Sequence, residues 1–217
     1  MAYGPKIEAI HNDGIQIVLR EPENPEFDLA PFFPTPEQVS QYTVGRIKGY
    51  LGQETPADFI ANVLDNPQLV NWGLYAGDAG NDGPRLVGTA GVHEPDEHGR
   101  SWFYTYLLDP NYHGQRFGRR ASRLVVAAAF VTRPALEEIV TFVNPANEPG
   151  LKVAEYIGMA PDAEYAGKQR RFTVPREATW PWLRRAEPHL SAQAYAVTRA
   201  LGGDDAVIVN LDPSAHS

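Results

Sequence analysis

A strand, a glycine-bearing turn and an amphipathic helix follow one another between Trp102 and Ala128, and this succession constrains the chain more than any other stretch. Trp102–Leu108 is apolar and aromatic, Asp109-Pro110 is a turn dipeptide, and Tyr112–Ala121 reads Y-H-G-Q-R-F-G-R-R-A. Apolar positions at Phe117, Ala121, Leu124, Val125 and Ala128 then fall on one helical face. The first N–H groups of such a helix lack internal partners and sit at the positive end of its dipole, so this turn suits an anion. Arg116, Arg119 and Arg120 add positive charge there. The dinucleotide fingerprint G-x-G-x-x-G is not matched, because Gly114 and Gly118 have the wrong spacing, and the P-loop pattern is absent. A phosphate-bearing cofactor is the expectation.

The segment His113-Gly114-Gln115-Arg116-Phe117-Gly118, preceded by Leu108-Asp109-Pro110, resembles motif A of the GNAT superfamily of N-acetyltransferases, Q/R-x-x-G-x-G/A. A second segment, Asn144–Met159, follows the strand-like run Ile139–Val143 and resembles the family's later motif. There Asn147 precedes a short helix ending in Gly158-Met159, and Val153-Ala154-Glu155 is similar to the branch that acetylates ribosomal-protein N-termini. The resemblance implies an α/β fold of the GNAT type. Its mixed central sheet splays where the fourth and fifth strands part, with flanking helices.

The order of elements agrees with that layout. Gly14–Arg20 reads as a first strand, and Thr35 and Thr55 as caps of two helices reaching about Tyr50 and Leu64. Val70–Ala76, Leu86–His93 and Ser101–Leu108 read as strands, and Gln169–Val174 as a last one. Residues 1–175 are expected to form the acetyltransferase domain. Residues 176–217 form an extension, with short helices at Thr179–Ala186 and Leu190–Leu201 and a strand at Asp205–Leu211. This extension is too short for much core of its own and is expected to pack on the domain, or at a homodimer interface.

Composition excludes several classes. A net charge of −8 argues against nucleic acid as a partner, since phosphate neutralisation needs a basic face. Without cysteine there is neither a disulfide nor a thiol nucleophile. Met1–Lys6 has no apolar signal core and no apolar run approaches a membrane span, so a cytoplasmic protein is expected. His93 and His98 flank a Pro/Asp/Gly-rich turn and read as solvated loop residues rather than metal ligands. No nucleophile elbow surrounds any serine, and no metal is expected.

By resemblance the cofactor is acetyl-CoA and the reaction moves its acetyl group directly to a primary amine, on a protein N-terminus or a small molecule. The amides of Gln115, Arg116, Phe117, Gly118 and Arg119, with His113 and Gly114, would cradle the pyrophosphate. The backbone of Tyr106, Leu107 and Leu108 would pair with the pantetheine arm as a strand does. Asn147 would bond that arm or the adjacent backbone, and Tyr156 would lie on the cofactor side. The sequence departs from the family pattern in three places. The central glycine of motif A is Arg116, and its leading Gln/Arg is His113. The usual acid, a tyrosine seven residues after Asn147, is Ala154, and the ribosomal branch's serine is Gly150. A carboxylate early on the fourth strand is replaced by Trp102-Phe103. Tyr104, Tyr106 and Glu94 are the replacement candidates for proton handling, although alternating aromatics also simply line a sheet face. Phe32-Phe33, the first two helices and Trp72 would build the acceptor pocket. A degenerate relative that binds CoA esters without turnover is the alternative, fed by the missing acid and base.

Overall fold

Among the described residues, β-branched and aromatic runs interrupted by glycine turns build one mixed sheet on which one long helix lies. The computed structural model describes residues 2–3, 6–11, 15–21, 68–78, 83–107, 109–163, 169–177 and 206–212. Its strands are β1 (Ala2–Tyr3), β2 (Lys6–His11), β3 (Ile15–Arg20), β4 (Leu69–Asp78), β5 (Arg85–His93) and β6 (Arg100–Leu107), followed by a 3-10 turn (Pro110–Tyr112). Helix α1 (Phe117–Thr132), β7 (Glu138–Val143), α2 (Glu148–Tyr156), β8 (Ala160–Pro161), β9 (Arg170–Pro175) and β10 (Ala206–Asp212) complete the series. The sheet order is β10-β2-β3-β4-β5-β6-β7-β9-β8, with β1 pairing β4 off that path.

The sheet differs from the sequence expectation at both margins. Gly14–Arg20 is not the first strand. It corresponds to β3, which pairs antiparallel with β2 through Ile7↔Leu19. The stretch Lys6–His11 reads K-I-E-A-I-H, whose charged residues disfavour a strand locally, so its neighbours supply the preference. The strand expected near the end of the extension is β10, antiparallel to β2 from Ala206↔His11 to Asp212↔Lys6. The helices expected at Thr35–Tyr50, Thr55–Leu64, Thr179–Ala186 and Leu190–Leu201, and the Phe32-Phe33 segment, lie outside the described residues.

The splay is present and can be placed to the residue. Strands β6 and β7 run parallel and pair only at Arg100↔Glu138, Ser101↔Ile139 and Trp102↔Val140. Beyond Trp102, β6 keeps β5 as its partner while β7 continues with β9. At the fork, the Thr141 hydroxyl donates to the Phe103 carbonyl at 3.1 Å, a side chain taking over where the ladder stops.

The core lies between the sheet and α1. Phe117, Ala121, Leu124, Val125 and Ala128, the face read from sequence, are all buried. Burial of a side chain the size of Phe117 or Leu124 contributes about 2–3 kcal/mol. The far end of α1 is closed from β9. Arg176 donates to the carbonyls of Phe130 (2.9 Å), Arg133 (2.6 Å) and Leu136 (2.7 Å). Its guanidinium also lies 5.2 Å from the Phe130 ring centroid. One cation thus ties the end of the helix to the loop after it, adding to the bond that the Arg133 carbonyl accepts from the Leu136 N–H.

Three neighbouring strands carry a polar bridge. Asn71 in β4 and Tyr104 in β6 both stand opposite Gly91 in β5. The Tyr104 hydroxyl donates to the Asn71 side-chain oxygen across 2.5 Å. A Cβ on Gly91 would collide with that oxygen and with the Tyr104 ring, so only glycine lets the two side chains meet.

Candidate functional site

The turn after β6 is fixed from below by a buried carboxylate. Asp109 is fully buried; it accepts from the Asn111 N–H at 2.9 Å and pairs with Arg85 at 2.7 Å. Its own N–H reaches the Val87 carbonyl at 3.0 Å, which ties the end of β6 to β5. The His113 N–H donates to the Pro110 carbonyl at 3.0 Å, and Gln115 Nε2 to the Asn111 carbonyl at 2.6 Å. The chain then takes two left-handed steps, Gly114 at φ +76° and Arg116 at φ +64°. Left-handed residues alternating with ordinary ones at a helix start turn successive N–H groups toward one concavity. The first helical hydrogen bond is Arg120 N–H to the Arg116 carbonyl, and no side chain caps the turn. The amides of Phe117, Gly118 and Arg119 therefore precede the internal ladder of α1.

Arg116 explains one departure from the motif. Among the described residues it is the one non-glycine at positive φ, at the place where motif A has its central glycine. The backbone conformation is retained although the residue is not, and the side chain is exposed. A left-handed non-glycine costs about 1–2 kcal/mol, partly offset by the lower entropy of its unfolded state. Arg116→Gly is therefore expected to raise stability by about 0.5–1 kcal/mol, near 2 °C in melting temperature. An unchanged or lower melting temperature would show that the arginine side chain compensates for its own strain.

The other expected cofactor residues divide by what their side chains do. Phe117 is fully buried, its ring tilted against Tyr112 at 5.5 Å, so it offers a ligand only its amide. Arg120 is buried rather than part of a solvated face. Arg119 and Arg123 both lie over the Tyr156 ring, at 5.4 and 5.7 Å, which brings Tyr156 on α2 to the first turns of α1. The Asn147 side-chain oxygen accepts from the Gly150 N–H at 2.9 Å and caps α2. Gly150, where the ribosomal branch has serine, is crowded by that same amide, and a Cβ there would lie 2.8 Å from Asn147 Nδ2.

The gap between β6 and β7 presents backbone. The Phe103 carbonyl faces β7, as its bond to Thr141 shows. Alternate residues of a strand point their N–H and C=O to the same edge, so Thr105 and Leu107 face the gap and Tyr106 faces β5. This moves the expected pairing edge from Tyr106 to its neighbours. Leu108 lies outside the described residues.

The proton-handling candidates are not brought together. Tyr104 is 8% exposed and gives its proton to Asn71. Glu94 is exposed and pairs at 3.4 Å with Arg133, the residue that ends α1. Burial lowers the Arg133 pKa, and the charge and hydrogen bond of Glu94 oppose that. This pair sits at the opposite end of a 16-residue helix from the anion turn, about 24 Å along its axis. Tyr106 stands opposite Thr89, whose fully buried hydroxyl has no hydrogen-bond partner. Trp72, expected in an acceptor pocket, is fully buried core, paired with Ala90. Among the described residues the exposed large aromatic is instead Trp102, stacked on Phe142 at 4.7 Å beside a cavity of about 200 Å³ that Asp96, Arg100 and Arg171 also line. Arg85 and Asp109, which anchor the turn, were missed as site residues; the Asp-Pro dipeptide was the one signal for them.

Comparison with known proteins places this arrangement. The acetyltransferase (GNAT) domain model matches residues 16–160, more than half of the chain. The GNAT-family acetyltransferase of Bacillus anthracis superposes with TM-score 0.58 at 18% identity, covering 79% of this chain and 99% of that one. The ribosomal-protein-S5-alanine acetyltransferase of Vibrio fischeri gives TM-score 0.54 at 14% identity, covering 80% and 99%. The spermidine N-acetyltransferase of Vibrio cholerae, solved in complex with CoA and spermine, gives 0.52 at 15%, covering 77% and 98%. No curated protein matches the sequence. At these identities the solved structures speak for the fold alone.

Proposed function

We propose, from the premise that the chain belongs to the GNAT acetyltransferase family, that it transfers an acetyl group from acetyl-CoA to a primary amine. The observation that carries this reading is the pairing of an anion turn with an open strand edge. The left-handed turn at Gly114 and Arg116 leads into the uncapped start of α1. The parted strands leave the Thr105 and Leu107 edge of β6 beside it. These features suit a ligand with a diphosphate at one end and an amide-bearing arm at the other.

When bound, acetyl-CoA would supply the thioester: the amine nitrogen would bond its acyl carbon, the carbon–sulfur bond would break, and CoA would leave as the thiol while the amine gives up a proton. The chain's own residues would do the rest. Amides of residues 115–119 and the Arg119 guanidinium would hold the diphosphate, and the β6 edge would align the arm. A backbone N–H on that edge would stabilise charge developing on the carbonyl oxygen. For proton handling we assign the role to Tyr106, the remaining candidate, which stands opposite Thr89 on β5. Tyr104 and Glu94 are already engaged, with Asn71 and Arg133. The acceptor would approach over the exposed Trp102 ring, and the net charge of −8 favours a cationic amine.

Residues 1–175 would serve as the catalytic domain. Residues 176–217 would be an accessory whose strand extends the sheet.

A second reading has its own support. With Tyr104 and Glu94 engaged elsewhere, a CoA-ester binder without turnover is consistent with the same fold. Calorimetric titration with acetyl-CoA, followed in the same sample by thiol release with peptide and polyamine acceptors, separates the two. Binding with amine-dependent release supports transfer. Binding without release supports the sensor, and absence of binding overturns both.

A further inference from the structure

We infer that Thr105 and Ser122 form a positioning pair that sets the span between the anion turn and the open edge of β6. The inference rests on the cofactor reading above and concerns residues that no motif of the family marks in this chain. Ser122, on the second turn of α1, is fully buried. Its hydroxyl oxygen lies 2.7 Å from the Gly118 carbonyl and 2.9 Å from the Thr105 hydroxyl. A carbonyl only accepts, so the single Ser122 proton serves Gly118, and Thr105 supplies the proton of the second bond. The result is a directed chain from β6 through Ser122 to the first turn of α1.

The two ends of this chain are the two halves of the proposed cradle. Thr105 presents its backbone to the gap while its side chain makes the bond to α1. Gly118 belongs to the turn whose amides precede the helical ladder. Past Trp102, β6 has no strand on its β7 side among the described residues, so its position there depends on β5 and on what reaches it from α1. Loss of either hydroxyl removes the bond between β6 and α1 and lets strand and turn shift separately. A ligand that bridges both would feel the change, because its second half binds at an effective concentration fixed by the span. A ligand touching one half would not.

The test uses the whole chain and three probes: CoA, its nucleotide half (phosphoadenosine diphosphate), and pantetheine. Thr105→Val and Ser122→Ala, each checked for an unchanged circular dichroism spectrum, are expected to weaken CoA about tenfold. Each half should change by less than about twofold, and the double variant should be no worse than the poorer single one. Thr105→Ser keeps the hydroxyl and should bind CoA as the unaltered chain does. If the unaltered chain binds CoA and the variants bind it equally well, the pair has no positioning role. Equal weakening of halves and whole would likewise overturn it in favour of a merely structural contact. Failure of the unaltered chain to bind CoA overturns the cofactor reading itself.

Discussion

Gly118→Val is expected to lower acetyl-CoA affinity at least about 100-fold, near 3 kcal/mol, while the protein still folds. Gly118 is the second residue of α1, in the turn whose amides precede the internal ladder. A branched side chain there would occupy the space that the diphosphate oxygens of the proposed cofactor need to reach those amides. It does not forbid the helix, because valine is a better helix former than glycine by a few tenths of a kcal/mol. Calorimetry with acetyl-CoA and a melting curve on the same preparation decide the matter. Unchanged affinity in a folded variant would place the cofactor elsewhere on the molecule.

The second large effect concerns stability. Arg176→Met should destabilise the fold by about 3 kcal/mol and lower the melting temperature by about 6–10 °C. The guanidinium serves the carbonyls of Phe130, Arg133 and Leu136, and methionine keeps much of the stem that packs beside it. What is lost is chiefly the set of charge-assisted bonds at the end of α1. Acetyl-CoA affinity should change little, since Arg176 acts at the end of α1 away from the anion turn. A melting temperature within about 2 °C of the unaltered protein would mean that water satisfies those carbonyls equally well.

Much of the central fold was legible because its signals are local. The helix face from Phe117 to Ala128 and the strands on either side follow from periodicity and turn chemistry alone. Asn147, expected to bond the cofactor arm or the adjacent backbone, caps the short helix that follows it. What escaped the sequence is long-range. Strand β2 is recognisable only with β3 and β10 beside it. Asp109 looked like a plain turn residue until Arg85, from the neighbouring strand, is seen to pair with it. The partners of two proton-handling candidates escaped the sequence for the same reason. Tyr104 and Glu94 were chosen by residue type and strand position, and their true partners, Asn71 and Arg133, are 33 and 39 residues away.

The fork between β6 and β7 has a thermodynamic consequence. With three rungs joining them, the strands on the two sides form a seam at which cooperativity can fail, and the ligand proposed for the gap would act as a missing strand across it. Stability would then be linked to occupancy, rising with the logarithm of free cofactor above its dissociation constant. On that reading, a melting temperature for this chain would be defined only together with the concentration of CoA in the tube.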